Sequence, residues 1–145
     1  MARLIDRVTD AMRGDASAAP VGKLIGFRPI SIETGKAVFE LDAGPQHANP
    51  MGTLHGGILC DVADAAMGVA LASTLADGES FTTLELKINF LRPFWTGVLI
   101  ATGRLVKTGR TISLAECDVT DTEGKLVARA MSTCMTLRGD SSEGR

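Results

Sequence analysis

The segment from Ile58 to Leu75 constrains the fold most, because it is a helical pattern without a polar face. Leu, Ile, Val, Met and Ala lie on nearly every side of it, and its only charged residues are Asp61 and Asp64. A helix of this kind is normally buried in a core. Two carboxylates in such a helix are costly unless they are paired, hydrogen-bonded or used in chemistry. The sequence therefore predicts one central helix, ending near Ala76, and two aspartates of functional interest.

Strand-like segments lie on both sides of this helix in the sequence. Residues 22–29 are predicted to be a short strand or a turn. The other predicted strands span residues 36–41, 82–91, 97–108, 111–120 and 125–137. Short turns join the later strands, and strands joined this way are antiparallel. The chain is therefore predicted to be α+β, with an antiparallel sheet wrapped around the long helix and its last four strands in a continuous meander.

The boundaries of the domain follow from the flanking composition. Leu4, Ile5, Val8 and Met12 recur at helical spacing, so residues 1–20 are predicted to be an N-terminal helix and linker. Residues 21–138 form a single predicted domain. The polar residues 139–145 are predicted to be a flexible tail.

Composition excludes several classes of function. A net charge of -2 and a pI near 5.6 do not indicate a nucleic-acid partner. Every long apolar run has polar breaks, so no membrane span is predicted. The three cysteines have neither disulfide nor zinc spacing, so we expect reduced thiols, no metal, no cofactor and a cytoplasmic location.

Several predicted strands are apolar on both faces. In the strand at 97–108, Val98, Ile100 and Val106 would lie on the face opposite to Leu99 and Ala101. A second apolar face needs a covering partner, so the pattern favours oligomerisation through the sheet.

Small and acidic residues form one stripe along the central helix. At 100° per residue, the stripe contains Gly57, Asp61, Asp64, Gly68 and Ala72. Small residues allow another backbone to approach closely, and the two aspartates would face that partner.

The start of the helix offers a second chemical group. Gly56 and Gly57 leave the backbone accessible where N–H groups point outward, and such groups can stabilise an oxyanion. Asp64 could act as a general base or a nucleophile. Gly57 and Asp64 are separated by ~10 Å of helical rise, too far to act on one carbonyl. If the helix is catalytic, two antiparallel copies are expected to share each site.

The sequence N-P-M-G-T-L-H-G-G at 49–57, followed by Asp64 and by K-I-N-F-L-R-P at 87–93, resembles the hotdog-fold acyl-CoA thioesterases of the PaaI type. The resemblance covers residues 20–138, and the spaced motif is more specific than a Gly-Gly pair. It implies a hotdog fold and water attack on a thioester. It also implies a site shared between subunits of a homodimer, within a homotetramer built as a dimer of dimers.

The resemblance assigns roles to five residues. Asp64 would be the general base or nucleophile, and the Gly57 N–H would polarise the thioester carbonyl. Asn49 and His55 would position substrate or water and support the loop, while Thr83 would assist the water. Asp61 departs from the family pattern, and spacing from His55 favours Asp64 as the catalytic carboxylate.

Coenzyme A needs cationic partners for its phosphates. Arg92, Lys107 and Arg110 are candidates, although an ordinary solvated turn explains them equally well. Gly56 and Pro93 complete the predicted substrate-binding set.

The sequence leaves three functions to compare. The first is an acyl-CoA thioesterase acting on an aromatic or medium-chain acyl group. The second is a non-catalytic acyl-CoA-binding or sensing protein of the same fold, which the intact Asp64 disfavours. The third is a dehydratase or hydratase, whose paired His and acidic residue do not match the H-G-G placement.

Overall fold

A computed structural model describes residues 3–14 and 20–143. Within these residues, three α-helices and six strands make up the fold. The helices are α1 (Leu4–Met12), α2 (Pro20–Ile25) and α3 (Gly56–Ala72), and the strands are β1 (Phe27–Glu33), β2 (Lys36–Ala43), β3 (Ser80–Phe90), β4 (Gly97–Thr108), β5 (Ile112–Asp121) and β6 (Leu126–Leu137). Among the described residues, none of the helices has the length and apolar character needed to cross a membrane.

The prediction of an antiparallel sheet wrapped around one long helix is confirmed. The six strands form one sheet in the order β1-β2-β4-β5-β6-β3, and every neighbouring pair is antiparallel. Helix α3 packs across β4, β2 and β5. This is the hotdog arrangement expected from the sequence.

The predicted meander of the last four strands is wrong in one respect. Strand β3 pairs with β6 at the edge of the sheet, not with β4. The six residues between β3 and β4 cross the ends of β5 and β6, a span of three strand spacings, or ~14 Å. The N–H groups of Leu91 and Arg92 both donate to the Val127 carbonyl during this crossing. Pro93 then prevents β3 from continuing as a strand.

Three local predictions also change. Residues 20–25 form α2 before β1 begins, and Pro20 occupies the first helical position, where its missing N–H costs nothing. Helix α3 ends at Ala72 instead of Ala76, because the Ser73 and Thr74 hydroxyls bond back to carbonyls of the last turn. Gly139–Ser142 form a 3-10 turn within the predicted tail. Residues 15–19 of the predicted linker and residues 144–145 lie outside the described residues.

Small side chains bring α3 close to the sheet. Ala101, Ala115 and Ala130 form part of the buried face, and Gly103 of β4 lies directly against the backbone of Ala66 in α3. A Cβ atom at Gly103 would lie only 2.5 Å from the Ala66 carbonyl carbon. The helix therefore rests on β4 at a distance that only glycine permits.

One side of α3 remains open in the single chain. Gly57, Asp61 and Asp64 are exposed, since one sheet covers only one side of the helix. The small-residue stripe does not stay open along its whole length. Gly68 is covered by the ring of Phe81 from the same chain, so the close approach expected there is to a side chain of β3.

The outer face of the sheet carries charge as well as apolar residues. Arg104 pairs with Glu116 and Asp118, and Arg129 pairs with the same two carboxylates. The hydrogen bond from Arg104, with a further contribution from Arg129, lowers the pKa of Glu116. The apolar second face expected from sequence is thus interrupted by a neutral four-residue network.

Candidate active site

The loop before α3 is organised by Asn49. Its Oδ1 accepts hydrogen bonds from the N–H groups of Met51 and Thr53, and its Nδ2 donates to Thr53 Oγ1. The backbone of Asn49 also pairs with that of Thr53. Asn49 therefore holds a tight turn that presents the residues at the start of α3.

His55 caps the helix. Its Nδ1 accepts the Gly57 N–H at 2.8 Å, so in the neutral ring the proton is on Nε2. The Gly57 N–H, which the sequence favoured as the oxyanion donor, is therefore occupied in this arrangement. Within residues 3–14 and 20–143, no acceptor is bonded to the Gly56 N–H. The ring of Phe90 lies beside it, 2.6 Å from where a Cβ on Gly56 would be placed.

Asp64 and Thr83 lie together although 19 residues separate them. Thr83 Oγ1 donates to Asp64 Oδ1 at 3.0 Å, joining the middle of α3 to β3. A β-bulge follows at once, because the β3–β6 register shifts between Thr83 and Glu85. Bulges often aim a side chain near an active site, and this one adjoins the residue that contacts Asp64.

An apolar cavity of about 520 Å³ opens beside Asp64. The rings of Phe27 and Phe39, with centroids 6.0 Å apart, lie in its wall. Asp61 and Asp64 contribute carboxylates to the same lining. Among the described residues, its lining consists of Val8, Gly14, Val21, Gly22, Lys23, Phe27, Arg28, Pro29, Phe39, Asp61, Asp64, Ala65 and Val69. A mostly apolar cavity with a few polar groups is typical of a small-molecule site.

Burial and neighbouring charge raise the pKa values of two side chains near Asp64 on α3. Desolvation, followed by repulsion from Asp64, raises the pKa of Asp61. Desolvation also raises the pKa of Cys60, and the two aspartates add to that effect. The charge around Cys60 opposes a thiolate, which disfavours a catalytic cysteine.

Comparison with known proteins decides the family. The family model described as "Thioesterase superfamily" matches residues 51–128. The chain belongs to the thioesterase superfamily. It is therefore a hydrolase.

Individual relatives of this thioesterase agree with that assignment. The 1,4-dihydroxy-2-naphthoyl-CoA hydrolase of Listeria monocytogenes is 30% identical over 75% of this chain and 89% of its own. The mouse acyl-coenzyme A thioesterase 13 is 31% identical over 72% of this chain and 75% of its own. The structure of the E. coli PaaI protein from the phenylacetic acid degradation operon is 26% identical, with a TM-score of 0.79, and covers 94% of this chain and 95% of its own. The PaaI-type resemblance seen in the sequence is thus confirmed.

The predicted cationic contacts of this thioesterase are not gathered in one place. Arg92 pairs with Asp121, and its buried Nε atom has no hydrogen-bond partner in the part of the chain that the structure describes. Lys107 lies near the C-terminal end of β4, and Arg110 lies in the β4–β5 connection. Gly35 connects the C-terminal part of β4 to the C-terminal end of α3. Its carbonyl accepts the Leu105 N–H, and its own N–H donates to the Ser73 hydroxyl oxygen. Lys107 and Arg110 therefore lie at the end of α3 opposite to His55.

Pro93 lies near the start of α3. Its neighbour Phe94 accepts a hydrogen bond from the Leu54 N–H through its carbonyl. The structure thus places Asn49, His55, Gly56, Gly57 and Pro93 around one end of the helix, and Asp64 with Thr83 farther along it. Among the described residues, no group of three potential metal ligands occurs.

Two parts of the site were not found from the sequence. Val8 of α1 and Val21 of α2 line the cavity. The helical spacing of Leu4, Ile5 and Val8 could have indicated an apolar face, but not the surface that it covers. The second part is the buried residue His47. Its Nδ1 accepts the Gly44 N–H, and its Nε2 bonds to the Ile25 carbonyl. It ties α2 to the loop before α3.

Proposed function

We propose that this thioesterase hydrolyses an aromatic or medium-chain acyl-CoA to the free acid and coenzyme A. The observation that carries the proposal is the Asp64–Thr83 hydrogen bond at the edge of an apolar cavity. A carboxylate and a hydroxyl in contact can hold a water molecule, and the cavity offers apolar surface to an acyl group. No metal or cofactor is needed for this reaction.

The proposed reaction assigns one task to each group. Asp64 acts as general base, removing a proton from a water whose oxygen attacks the thioester carbonyl carbon. Thr83 orients that water. The tetrahedral intermediate then collapses, the C–S bond breaks, and the coenzyme A thiolate leaves and takes up a proton. Direct attack by Asp64 through an acyl anhydride is the alternative route to the same products.

The oxyanion donor is assigned to Gly56 in preference to Gly57. The Gly57 N–H already bonds to His55 Nδ1, whereas the Gly56 N–H is unbonded within the described part of the chain. Gly57 would take this role only if the His55 ring rotated away. Asn49 and His55 support the loop that presents this donor.

The distances support a site shared between two subunits. The start of α3 and Asp64 are separated by ~10 Å or more of helical rise, so one chain does not bring both to one carbonyl. Strand β3 is at the edge of the sheet, with Leu84 and Phe90 exposed, and is free to pair with a second copy. An antiparallel pair of helices would place the donor of one subunit near Asp64 of the other. We propose such a homodimer within a homotetramer.

The same pairing gives the distant cations a role. In antiparallel copies, the C-terminal end of one α3 approaches the start of the other. Lys107 and Arg110 would then lie near the partner's site and contact coenzyme A phosphates. Arg92 is the weaker candidate, because Asp121 already occupies its guanidinium.

The acyl group is proposed from the cavity wall. Phe27 and Phe39 offer aromatic surface, and Val8, Val21 and Val69 offer aliphatic surface. The Listeria relative is named for an aromatic acyl-CoA. Both aromatic and medium-chain acyl groups suit this lining.

Release of free thiol from a panel of aromatic and aliphatic acyl-CoAs tests the proposal. We expect turnover of at least one of them. Tight binding without thiol release would favour the acyl-CoA-sensing alternative, and neither binding nor release would reject both. Sedimentation at the assay concentration tests the shared site, since a fully active monomer would contradict it.

A further inference from the structure

A short series of polar side chains runs from the buried face of β6 to Asp64. Thr83 Oγ1 contacts Asp64 Oδ1 at 3.0 Å and Cys134 Sγ at 3.8 Å. Cys134 Sγ in turn lies 3.7 Å from Ser132 Oγ. Cys134 and Ser132 are each only 2% exposed. A buried hydroxyl costs free energy unless it is hydrogen-bonded, and Cys134 is the partner that Ser132 has within the described residues.

The direction of these hydrogen bonds follows from the carboxylate. The carboxylate oxygen of Asp64 accepts in this contact, so Thr83 donates its single proton to it. At the contact between Thr83 and Cys134, the thiol must then be the donor. Since the thiol proton is used there, Ser132 donates to the sulfur. Every proton in the series therefore points toward Asp64.

We propose that Cys134 is a positioning residue for thioester hydrolysis, which it serves by fixing the orientation of the Thr83 hydroxyl. This inference rests on the proposed roles of Asp64 and Thr83. A threonine hydroxyl can rotate among staggered positions. A thiol donating to its oxygen favours the position in which the hydroxyl proton faces Asp64. The thiol itself does not react.

The local backbone supports this role. Thr83 and Cys134 are directly opposed in the β3–β6 register, and the bulge begins immediately after Thr83. The opposed pair is therefore held by regular strand pairing on one side and the bulge on the other. Cys117, by contrast, is fully buried on β5, and among the described residues its thiol hydrogen-bonds only to the Asp118 carbonyl, so it provides a matched control.

Kinetics of three variants test the proposal. We expect Cys134→Ala to lower kcat by ~2- to 10-fold, the loss of one weak hydrogen bond, with KM unchanged. Cys134→Ser retains a donor and should keep kcat within about twofold. Cys117→Ala removes the same atom from the same sheet and should leave kcat unchanged. Equal kcat values for Cys134→Ala and Cys117→Ala would overturn the inference.

The S–H stretching band gives a measurement that does not depend on turnover. In a Cys60→Ala/Cys117→Ala background, Cys134 is the remaining thiol. With Ser132→Ala added to this background, so that the Ser132 hydroxyl cannot accept instead, we expect Thr83→Val to move the band to higher frequency because the thiol loses its Thr83 acceptor. An unchanged band would overturn the inference. If the wild type hydrolyses no thioester, the proposed function fails and the role of Cys134 fails with it. If hydrolysis requires Asp64 but Cys134→Ala matches its control, the role of Cys134 alone fails.

Discussion

The contact between Gly103 and α3 makes the sharpest stability prediction. A methyl group at Gly103 would lie 2.5 Å from the Ala66 carbonyl carbon, 2.6 Å from its oxygen and 2.7 Å from the Met67 nitrogen. These are backbone atoms of a buried helix, and they have no rotamer by which to move away. Helix α3 would have to retreat by about 1 Å to restore an ordinary carbon–carbon contact.

We expect Gly103→Ala to lower the free energy of unfolding by an amount at the upper end of the range for overpacked cores. An extra methyl group in a packed core costs ~1–3 kcal/mol, and we expect about 3 kcal/mol here. Gly68→Ala is the matched control, since it adds a methyl group to the same helix–sheet contact. Its new Cβ would lie 2.9 Å from Phe81 Cζ, but that ring can tilt. Alanine also gains ~1 kcal/mol over glycine inside a helix, so the net change should be within about 1 kcal/mol of zero.

Urea unfolding at one fixed protein concentration measures both changes. The concentration must be fixed because association raises apparent stability. For a slope of about 2 kcal/mol/M, Gly103→Ala should lower the midpoint by ~1.5 M and Gly68→Ala by less than ~0.5 M. Equal midpoints, or a larger loss for Gly68→Ala, would refute the reasoning about backbone obstruction.

Three further predictions concern other parts of the molecule. His47→Ala loses two backbone hydrogen bonds and a buried ring, and should cost ~2–4 kcal/mol in thermal unfolding; an unchanged midpoint would contradict this. Because the folded pKa of Glu116 is lowered, its stabilisation is present above the unfolded value of about 4.3 and is lost as pH falls through the folded pKa. Urea unfolding should therefore show a gap between wild type and Glu116→Gln at neutral pH that closes on acidification, whereas a gap that widens would be the wrong sign. If Lys107 and Arg110 both contact phosphate, the double variant Lys107→Ala/Arg110→Ala should raise KM for acyl-CoA by ~10-fold with kcat nearly unchanged. An unaltered KM would show that the two residues are solvated turn residues without a role in binding.

The fold was largely predictable because periodicity is a local property. The apolar pattern of α3 and the alternation of the strands specify element type and an antiparallel sheet. The position of β3 was not predictable in this way, since alternating residues are equally compatible with β4 or β6 as a neighbour. That choice depends on the crossing at Arg92 and Pro93 and on the Val127 carbonyl, which are contacts distant in sequence.

The site was predictable in part for a similar reason. The spacing from His55 favoured Asp64 over Asp61, and the structure brings Thr83 into contact with Asp64. Which glycine N–H is available depends on the orientation of the His55 ring, which no spacing encodes. The contact with Cys134 likewise arises from the register of β6, 51 residues away.

The central claim is that Asp64 activates the water that hydrolyses the thioester. Asp61 provides the matched comparison, because it lies three residues earlier on the same helix and lines the same cavity. Turnover of the best acyl-CoA by Asp64→Asn and Asp61→Asn is therefore the most direct measurement. We expect Asp64→Asn to lower kcat by ~10²–10⁴-fold, the range for loss of a general base, and Asp61→Asn to lower it by less than ~10-fold. Asp64→Asn that hydrolyses as fast as wild type, or a larger loss for Asp61→Asn, would contradict the account.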